Sequence, residues 1–146
     1  MISPPEGFVP LPVPGEFIRV NGPLYIRKQA GTVQLGFRVE ERHANPMAIC
    51  HGGMMASFCD MLLPIATLHM RREIGPRFLP TVSLQIDYLA PAPVGSWVEG
   101  ETQVLRVTRT MIFAQGLVTA DGEPVARASG ILKIGSVFPG LDGAAG

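Results

Sequence analysis

One long apolar stretch, from Gly52 to about Arg72, most constrains how this chain folds. Its side chains do not alternate between apolar and polar, as those of a half-buried strand would, and its length favours a helix. A helix that is apolar nearly all round is stable in water only when it is buried. The rest of the chain therefore has to supply a layer that covers this helix on several sides.

The segments on both sides of this stretch alternate with a period of two residues, which is typical of strands. Asp121-Gly122 stands between two apolar runs and indicates a tight hairpin. The predicted strands are residues 33–39, 82–88, 98–107, 111–120 and 125–134. The order of one strand, a long helix and about four antiparallel strands predicts an α+β fold. In this fold a curved antiparallel sheet wraps around one long central helix.

A chain of 146 residues is expected to form one domain. Residues 1–24 are rich in proline, which excludes a long helix there, and we interpret them as an N-terminal arm or cap. Residues 25–136 are predicted to form the folded domain, and residues 137–146 a frayed C-terminal tail.

Charge and cysteine content exclude several classes of function. The 12 basic and 12 acidic residues balance, so there is no basic face for a nucleic acid, and little charge repulsion opposes association into an oligomer. Asp60, Pro64 and His69 interrupt the apolar stretch, so we expect no membrane span, and the N-terminus does not resemble a signal peptide. Two cysteines do not make a disulfide framework, and a cytoplasmic location is expected.

The apolar helix carries one carboxylate, Asp60, among small side chains. Gly53, Ser57, Asp60 and Pro64 share one helix face, which leaves room for a ligand beside the acid. Pro64 lacks the N–H that would bond the carbonyl of Asp60, which predicts a kink or a free carbonyl there.

His51-Gly52-Gly53 lies where the helix should begin. The first N–H groups of a helix have no internal partner and carry a positive field, so they form a candidate oxyanion hole. Asp60 is more than two turns further on, roughly 12 Å along the axis. We expect it to serve the carbonyl held at the helix start of another chain, across a symmetric dimer.

The residues alone also allow structural roles for each of these groups. Asp60 is equally explained as a buried acid bonded to a neighbouring loop, and His51 as a helix cap or a core histidine. Gly52-Gly53 is equally explained as a turn without a ligand. The cysteines are expected to be small core residues, and the His and Cys spacing does not match a metal site.

Asn45, then His51-Gly52-Gly53, then Asp60 together resemble the motif of hotdog-fold acyl-CoA thioesterases. Within the 4-hydroxybenzoyl-CoA thioesterase superfamily, the chain looks most like the PaaI-like, phenylacetate-pathway subgroup. The resemblance extends from about Tyr25 to Ile134. It includes the strand TVSLQIDYLAPAPVG and the hairpin TADGEPVARASG.

This resemblance implies a hotdog domain that hydrolyses acyl-CoA without a metal or redox cofactor, as a homodimer or homotetramer with sites at the dimer interface. Gly52 would donate its N–H to the thioester carbonyl, and Asn45 and His51 would shape that pocket. Asp60 of the opposite subunit would be the general base or the nucleophile. Ser83 matches a family serine that helps to hold the attacking water.

Four further residues are expected to contact the substrate. Gly53 and Ser57 line the helix face, and Arg106 and Arg109 lie near the strand end where similar proteins bind the nucleotide phosphates. The chain departs from the family pattern at Ala48, where a glycine is usual. Three other functions remain open: a non-catalytic acyl-CoA-binding hotdog protein, an acyl-thioester hydratase or dehydratase, and a structural oligomer with a vestigial site.

Overall fold

The computed structural model of the chain describes residues 2–138. Within these residues, seven strands form a single sheet, and two α-helices accompany it. They are β1 (Val9–Leu11), α1 (Glu16–Asn21), β2 (Leu24–Gln29), β3 (Thr32–Arg38), α2 (Gly52–Met70), β4 (Thr81–Tyr88), β5 (Trp97–Val107), β6 (Met111–Ala120) and β7 (Glu123–Lys133). Two short 3₁₀ turns, Glu41–His43 and Arg72–Ile74, stand on either side of α2.

The strands are all antiparallel and follow the order β1-β2-β3-β5-β6-β7-β4. The long helix α2 packs against the last five strands of this order, which are β3, β5, β6, β7 and β4. The predicted α+β architecture, a curved antiparallel sheet around one long central helix, is therefore confirmed. So are the predicted helix and all five predicted strands, whose bounds agree to within a few residues.

The core forms where α2 lies in the curve of the sheet. Phe58, Leu62 and Leu63 of this helix are fully buried. Two strand glycines let the helix approach closely, because a Cβ at Gly100 would lie 2.5 Å from Leu62 and one at Gly130 would lie 2.8 Å from Leu63. By length and composition α2 could cross a membrane, but over half of its apolar window is buried inside this fold. Burial against the sheet accounts for its apolar character.

The β6–β7 connection is the tight hairpin that Asp121-Gly122 indicated. Both residues have positive φ, 47° and 86°, which is the geometry of a type I′ turn. The Asp121 carboxylate also accepts a hydrogen bond from the backbone N–H of Trp97 at 2.9 Å. The turn therefore also fixes the start of β5.

Residues 1–24 are interpreted from their prolines as an arm or cap. The described part of this arm, residues 2–24, contributes the strand β1 to the same sheet and forms the short helix α1. β1 pairs with β2, and Leu11 and Ile18 join the core. β1, α1 and β2 were not predicted, because they are short and interrupted by proline. Of the predicted tail, Val137 bridges to Arg77 and the Phe138 N–H bonds to Pro76, while residues 139–146 lie outside the described residues.

Candidate active site

The site is built around the first turn of α2, where the two glycines follow His51. The Gly53 N–H donates to Nδ1 of the His51 ring at 2.7 Å, so His51 is the N-cap of the helix. Because Nδ1 is an acceptor, the proton of the neutral ring lies on Nε2. The His51 side chain is exposed, so this Nε2–H is available to a ligand. His51 is therefore a helix cap, one of the structural roles that the sequence allowed. Its ring presents a hydrogen-bond donor at the same time.

The Gly52 N–H is the first of the helix and has no intrahelical acceptor, as expected at a helix start. The carbonyl of Gly52 accepts a hydrogen bond from the Tyr88 hydroxyl at 2.7 Å. Tyr88 is the last residue of β4 and thus ties this strand to the helix start. The sequence placed Tyr88 in a strand but gave no signal for this bond, which depends on tertiary packing.

The loop that precedes the helix is organised by Asn45. Its Oδ1 accepts hydrogen bonds from the N–H groups of Met47 at 2.9 Å and Ile49 at 3.5 Å. Ala48 in this loop has a φ of 59°, the left-handed conformation that glycine adopts at least cost. Ala48, which replaces the usual glycine of the family, therefore stands where the backbone conformation favours glycine. Asn45 shapes the loop that leads to His51.

His43 connects this loop to the N-terminal helix, and sequence reasoning did not identify it. It is 3% exposed; its Nδ1 accepts the Glu40 N–H at 3.0 Å and its Nε2 bonds to the carbonyl of Asn21 at 2.7 Å. Burial lowers the pKa of His43, although the bond to Asn21 opposes that shift. The backbone carbonyl of His43 accepts the His51 N–H at 2.8 Å, so His43 helps to hold the N-cap in place.

Asp60 lies on the exposed face of α2, not in the core. The Thr81 hydroxyl donates to its Oδ1 at 2.7 Å, which holds the carboxylate against the start of β4. A buried structural acid is therefore the wrong interpretation of Asp60. Thr81 was not among the predicted site residues, although its position at the beginning of the strand after the helix could have suggested it.

The expected small-residue face of α2 is present and open. Gly53 and Asp60 are exposed and Ser57 is half-buried, its hydroxyl donating to the carbonyl of Gly53 at 2.8 Å. The helix continues through Pro64 to Met70. Along this face Gly52 and Asp60 are roughly 12 Å apart, at 1.5 Å per residue. Within one chain they do not form a single pocket.

Three other predicted residues lie away from both the helix start and Asp60. Ser83 is paired with Ile131 and points to the opposite face of the sheet from Leu84, which packs on the core. The structure therefore brings Thr81, and not Ser83, to Asp60 within one chain. Arg106 and Arg109 are exposed at the β5–β6 connection.

The buried thiols do not contribute a nucleophile. Burial raises the pKa of Cys50 to about 11 and that of Cys59 to about 12, so both are protonated at neutral pH. Cys50 and Cys59 pack in the core, as expected. Within residues 2–138 no group of three His, Cys, Asp or Glu side chains is arranged to hold a metal ion.

The exposed face of α2 lies beside a sheet edge with apolar side chains. β4 ends the sheet, and its outer edge has no neighbouring strand among the described residues. Val82, Tyr88 and Leu89 are each more than half exposed along and just after this strand. A free strand edge with exposed apolar groups is a common site of association.

Comparison with known proteins shows which family the sequence and the fold resemble. Residues 47–126 match the model of the thioesterase superfamily. The human acyl-coenzyme A thioesterase 13 is 31% identical over 114 residues, which is 76% of this chain and 79% of that protein. The crystal structure of zebrafish thioesterase superfamily member 2 superposes with a TM-score of 0.71 and 30% identity, and covers 84% of this chain and 88% of its own. A phenylacetic acid degradation-related protein of Ralstonia eutropha gives a TM-score of 0.71 with 25% identity over 84% of this chain and 92% of its own.

Proposed function

Because this chain belongs to the thioesterase superfamily, we propose that it hydrolyses acyl-CoA thioesters to free CoA and a carboxylic acid. One observation carries the proposal: an exposed carboxylate, Asp60, is held by Thr81 on the open face of the helix whose first residue, Gly52, has an N–H without an intrahelical acceptor. The relative named acyl-coenzyme A thioesterase 13 supports acyl-CoA as the substrate class.

The helix start polarises the thioester. The Gly52 N–H donates to the carbonyl oxygen and stabilises the negative charge that develops there when a nucleophile adds. The positive end of the helix dipole favours the same charge. The exposed His51 ring would offer its Nε2–H as a second donor, and Asn45 holds the loop that leads to His51.

Asp60 of the partner subunit either activates the attacking water or attacks the carbonyl carbon itself. As a general base it takes a proton from water while the water oxygen adds to the carbonyl carbon; the C–S bond then breaks and CoA leaves as the thiol. As a nucleophile it would add to the carbonyl carbon and expel the CoA thiolate as the C–S bond breaks, and water would then hydrolyse the acyl anhydride left on the enzyme to the free acid and the Asp60 carboxylate. The Thr81 hydroxyl occupies Oδ1, which leaves Oδ2 to face the water or the carbonyl carbon.

A symmetric dimer is required because Gly52 and Asp60 are too far apart to act together in one chain. Pairing of β4 with its copy about a two-fold axis would continue the sheet and cover the exposed side chains of Val82 and Tyr88. The two α2 helices would then run antiparallel across the interface.

The sequence of α2 suits this arrangement. Ala56 is midway between Gly52 and Asp60, so a two-fold axis near Ala56 would bring Gly52 of one subunit opposite Asp60 of the other. The side chains around this midpoint are small, namely Gly53, Ala56 and Ser57, which allows the two helices to lie close. Further association of dimers into a homotetramer, and contact of Arg106 and Arg109 with the CoA phosphates, belong to the same proposal.

Thiol release from a panel of aromatic and aliphatic acyl-CoAs tests this function. Asp60→Asn should lose most of the turnover, because the amide can neither accept the proton nor attack. Asp87→Asn is the matched control, since Asp87 is an exposed carboxylate on β4 that pairs with Arg127 at 2.7 Å. Turnover by Asp60→Asn at a rate near that of the wild type would contradict the mechanism.

The same panel separates the alternatives. Tight binding of acyl-CoA without thiol release by the wild-type protein would indicate a non-catalytic binding protein. Hydration of crotonyl-CoA without thiol release would indicate a hydratase. Either result would reject the proposed hydrolysis.

A further inference from the structure

One peptide group joins Tyr88 to His51. The carbonyl of the Gly52–Gly53 peptide accepts the Tyr88 hydroxyl at 2.7 Å, and the N–H of the same peptide donates to Nδ1 of His51 at 2.7 Å. The bonds therefore run in one direction, from the hydroxyl through the peptide to the imidazole ring.

We propose that Tyr88 is a positioning residue, whose hydroxyl holds the Gly52–Gly53 peptide and thereby fixes the orientation and the tautomer of His51. The proposal deepens the proposed function and rests on it for its effect on turnover. Tyr88 acts through the Gly52–Gly53 peptide and the His51 ring.

Two adjacent glycines make this tether necessary. Glycine loses more conformational freedom on folding than any other residue, so a helix that begins Gly52-Gly53 has a weakly defined first turn. The Tyr88 hydroxyl fixes that turn from the neighbouring strand. The direction of the Gly52 N–H follows, because it belongs to the same turn.

Polarisation adds to the positioning effect. A donor on the carbonyl makes the N–H of the same peptide a stronger donor, since hydrogen bonds in a chain strengthen one another. The Gly53 N–H then favours a lone pair on Nδ1 of His51. The ring proton is kept on Nε2, which is where a donor to an acyl-CoA ligand is needed.

The chain provides a matched control. It contains two tyrosines, and the second, Tyr25, packs its ring against Trp97 with the centroids 5.6 Å apart. Tyr88→Phe and Tyr25→Phe remove the same atom. Only the first removes the hydroxyl that is bonded to Gly52.

The test combines the ¹⁵N spectrum of the histidine rings, at a pH where they are neutral, with steady-state kinetics. We expect wild-type His51 and the Tyr25→Phe variant to hold the proton on Nε2. In Tyr88→Phe we expect a mixture of tautomers, and kcat about tenfold lower with little change in KM, because the lost interaction acts in the transition state.

Each result decides the proposal. A wild-type His51 with its proton on Nδ1 overturns it without any variant. An unchanged ring spectrum in a folded Tyr88→Phe also overturns it, whether or not kcat falls. If Tyr88→Phe shifts the tautomer while the wild type hydrolyses no acyl-CoA, the positioning role stands and the proposed function fails.

Discussion

The Thr81 hydroxyl donates to Oδ1 of Asp60 at 2.7 Å, and this bond links the carboxylate of the central helix to the edge strand of the sheet. It settles the orientation of an acid that would otherwise rotate freely on an exposed helix face. It also connects the proposed chemistry to the proposed interface, because β4 carries Thr81 and is the strand expected to pair with its copy.

Thr81→Val should lower kcat/KM for the best acyl-CoA by about tenfold, which corresponds to about 1.4 kcal/mol, the size of one side-chain hydrogen bond. Valine keeps the shape and the strand preference, so the free energy of unfolding should change little. Ser83→Ala is the comparison, because Ser83 does not reach Asp60 within the chain. A larger loss in Ser83→Ala than in Thr81→Val would assign the supporting role to Ser83.

The two glycines at the helix start should respond differently to alanine. A Cβ at Gly52 would lie 3.6 Å from the Tyr88 ring, which is ordinary contact, whereas one at Gly53 would lie 3.0 Å from Nδ1 of His51. Gly52→Ala should therefore leave the free energy of unfolding unchanged or raise it by up to about 1 kcal/mol. In Gly53→Ala the new Cβ should displace the His51 cap. The loss of this cap costs about 1 kcal/mol and should cancel the gain from alanine.

Urea unfolding of Gly52→Ala and Gly53→Ala measures this difference directly. Gly53→Ala more stable than Gly52→Ala would mean that the His51 cap contributes nothing to the folded state.

His43 should make the protein less stable in mild acid. Because its pKa is lowered in the folded state, only the unfolded chain takes up a proton as the pH falls below about 6.5. The free energy of unfolding should therefore be intact above that pH and decrease below it, until the pH reaches the lowered pKa of the folded state.

Denaturant unfolding at several pH values between about 7 and 5 would show this contribution, with His43→Gln as the reference. The variant should have a shallower pH dependence than the wild type. Equal slopes in the two proteins would show that His43 is as easily protonated in the folded state as in the unfolded chain.

The two thiols should be unreactive while the protein is folded. With pKa values of about 11 and about 12, Cys50 and Cys59 hold almost no thiolate at pH 8, and both are buried. An aromatic disulfide reagent should therefore detect few thiols in the native protein and two per chain in denaturant. Fast native reaction would mean that α2 opens at its first turns.

Hydrophobic patterning predicted the central helix and the five main strands, because each has the length and period of a buried element. It did not predict β1, α1 or β2, which are short segments that are stabilised by their contacts with the rest of the fold. The same distinction applies to the site. The residues at the helix start were visible as a local pattern, whereas the contacts Thr81–Asp60, Tyr88–Gly52 and His43–Asn21 join distant segments.

Subunit complementation tests the shared site most directly. Asp60→Asn and His51→Ala chains, each nearly inactive alone, are mixed, dissociated and reassembled at equal concentration. Half of the dimers are then mixed, and each carries one site with an intact helix start and an intact partner carboxylate. We predict recovery of about a quarter of the wild-type thiol release. No recovery in verified mixed dimers would contradict a site in which Asp60 acts across the interface.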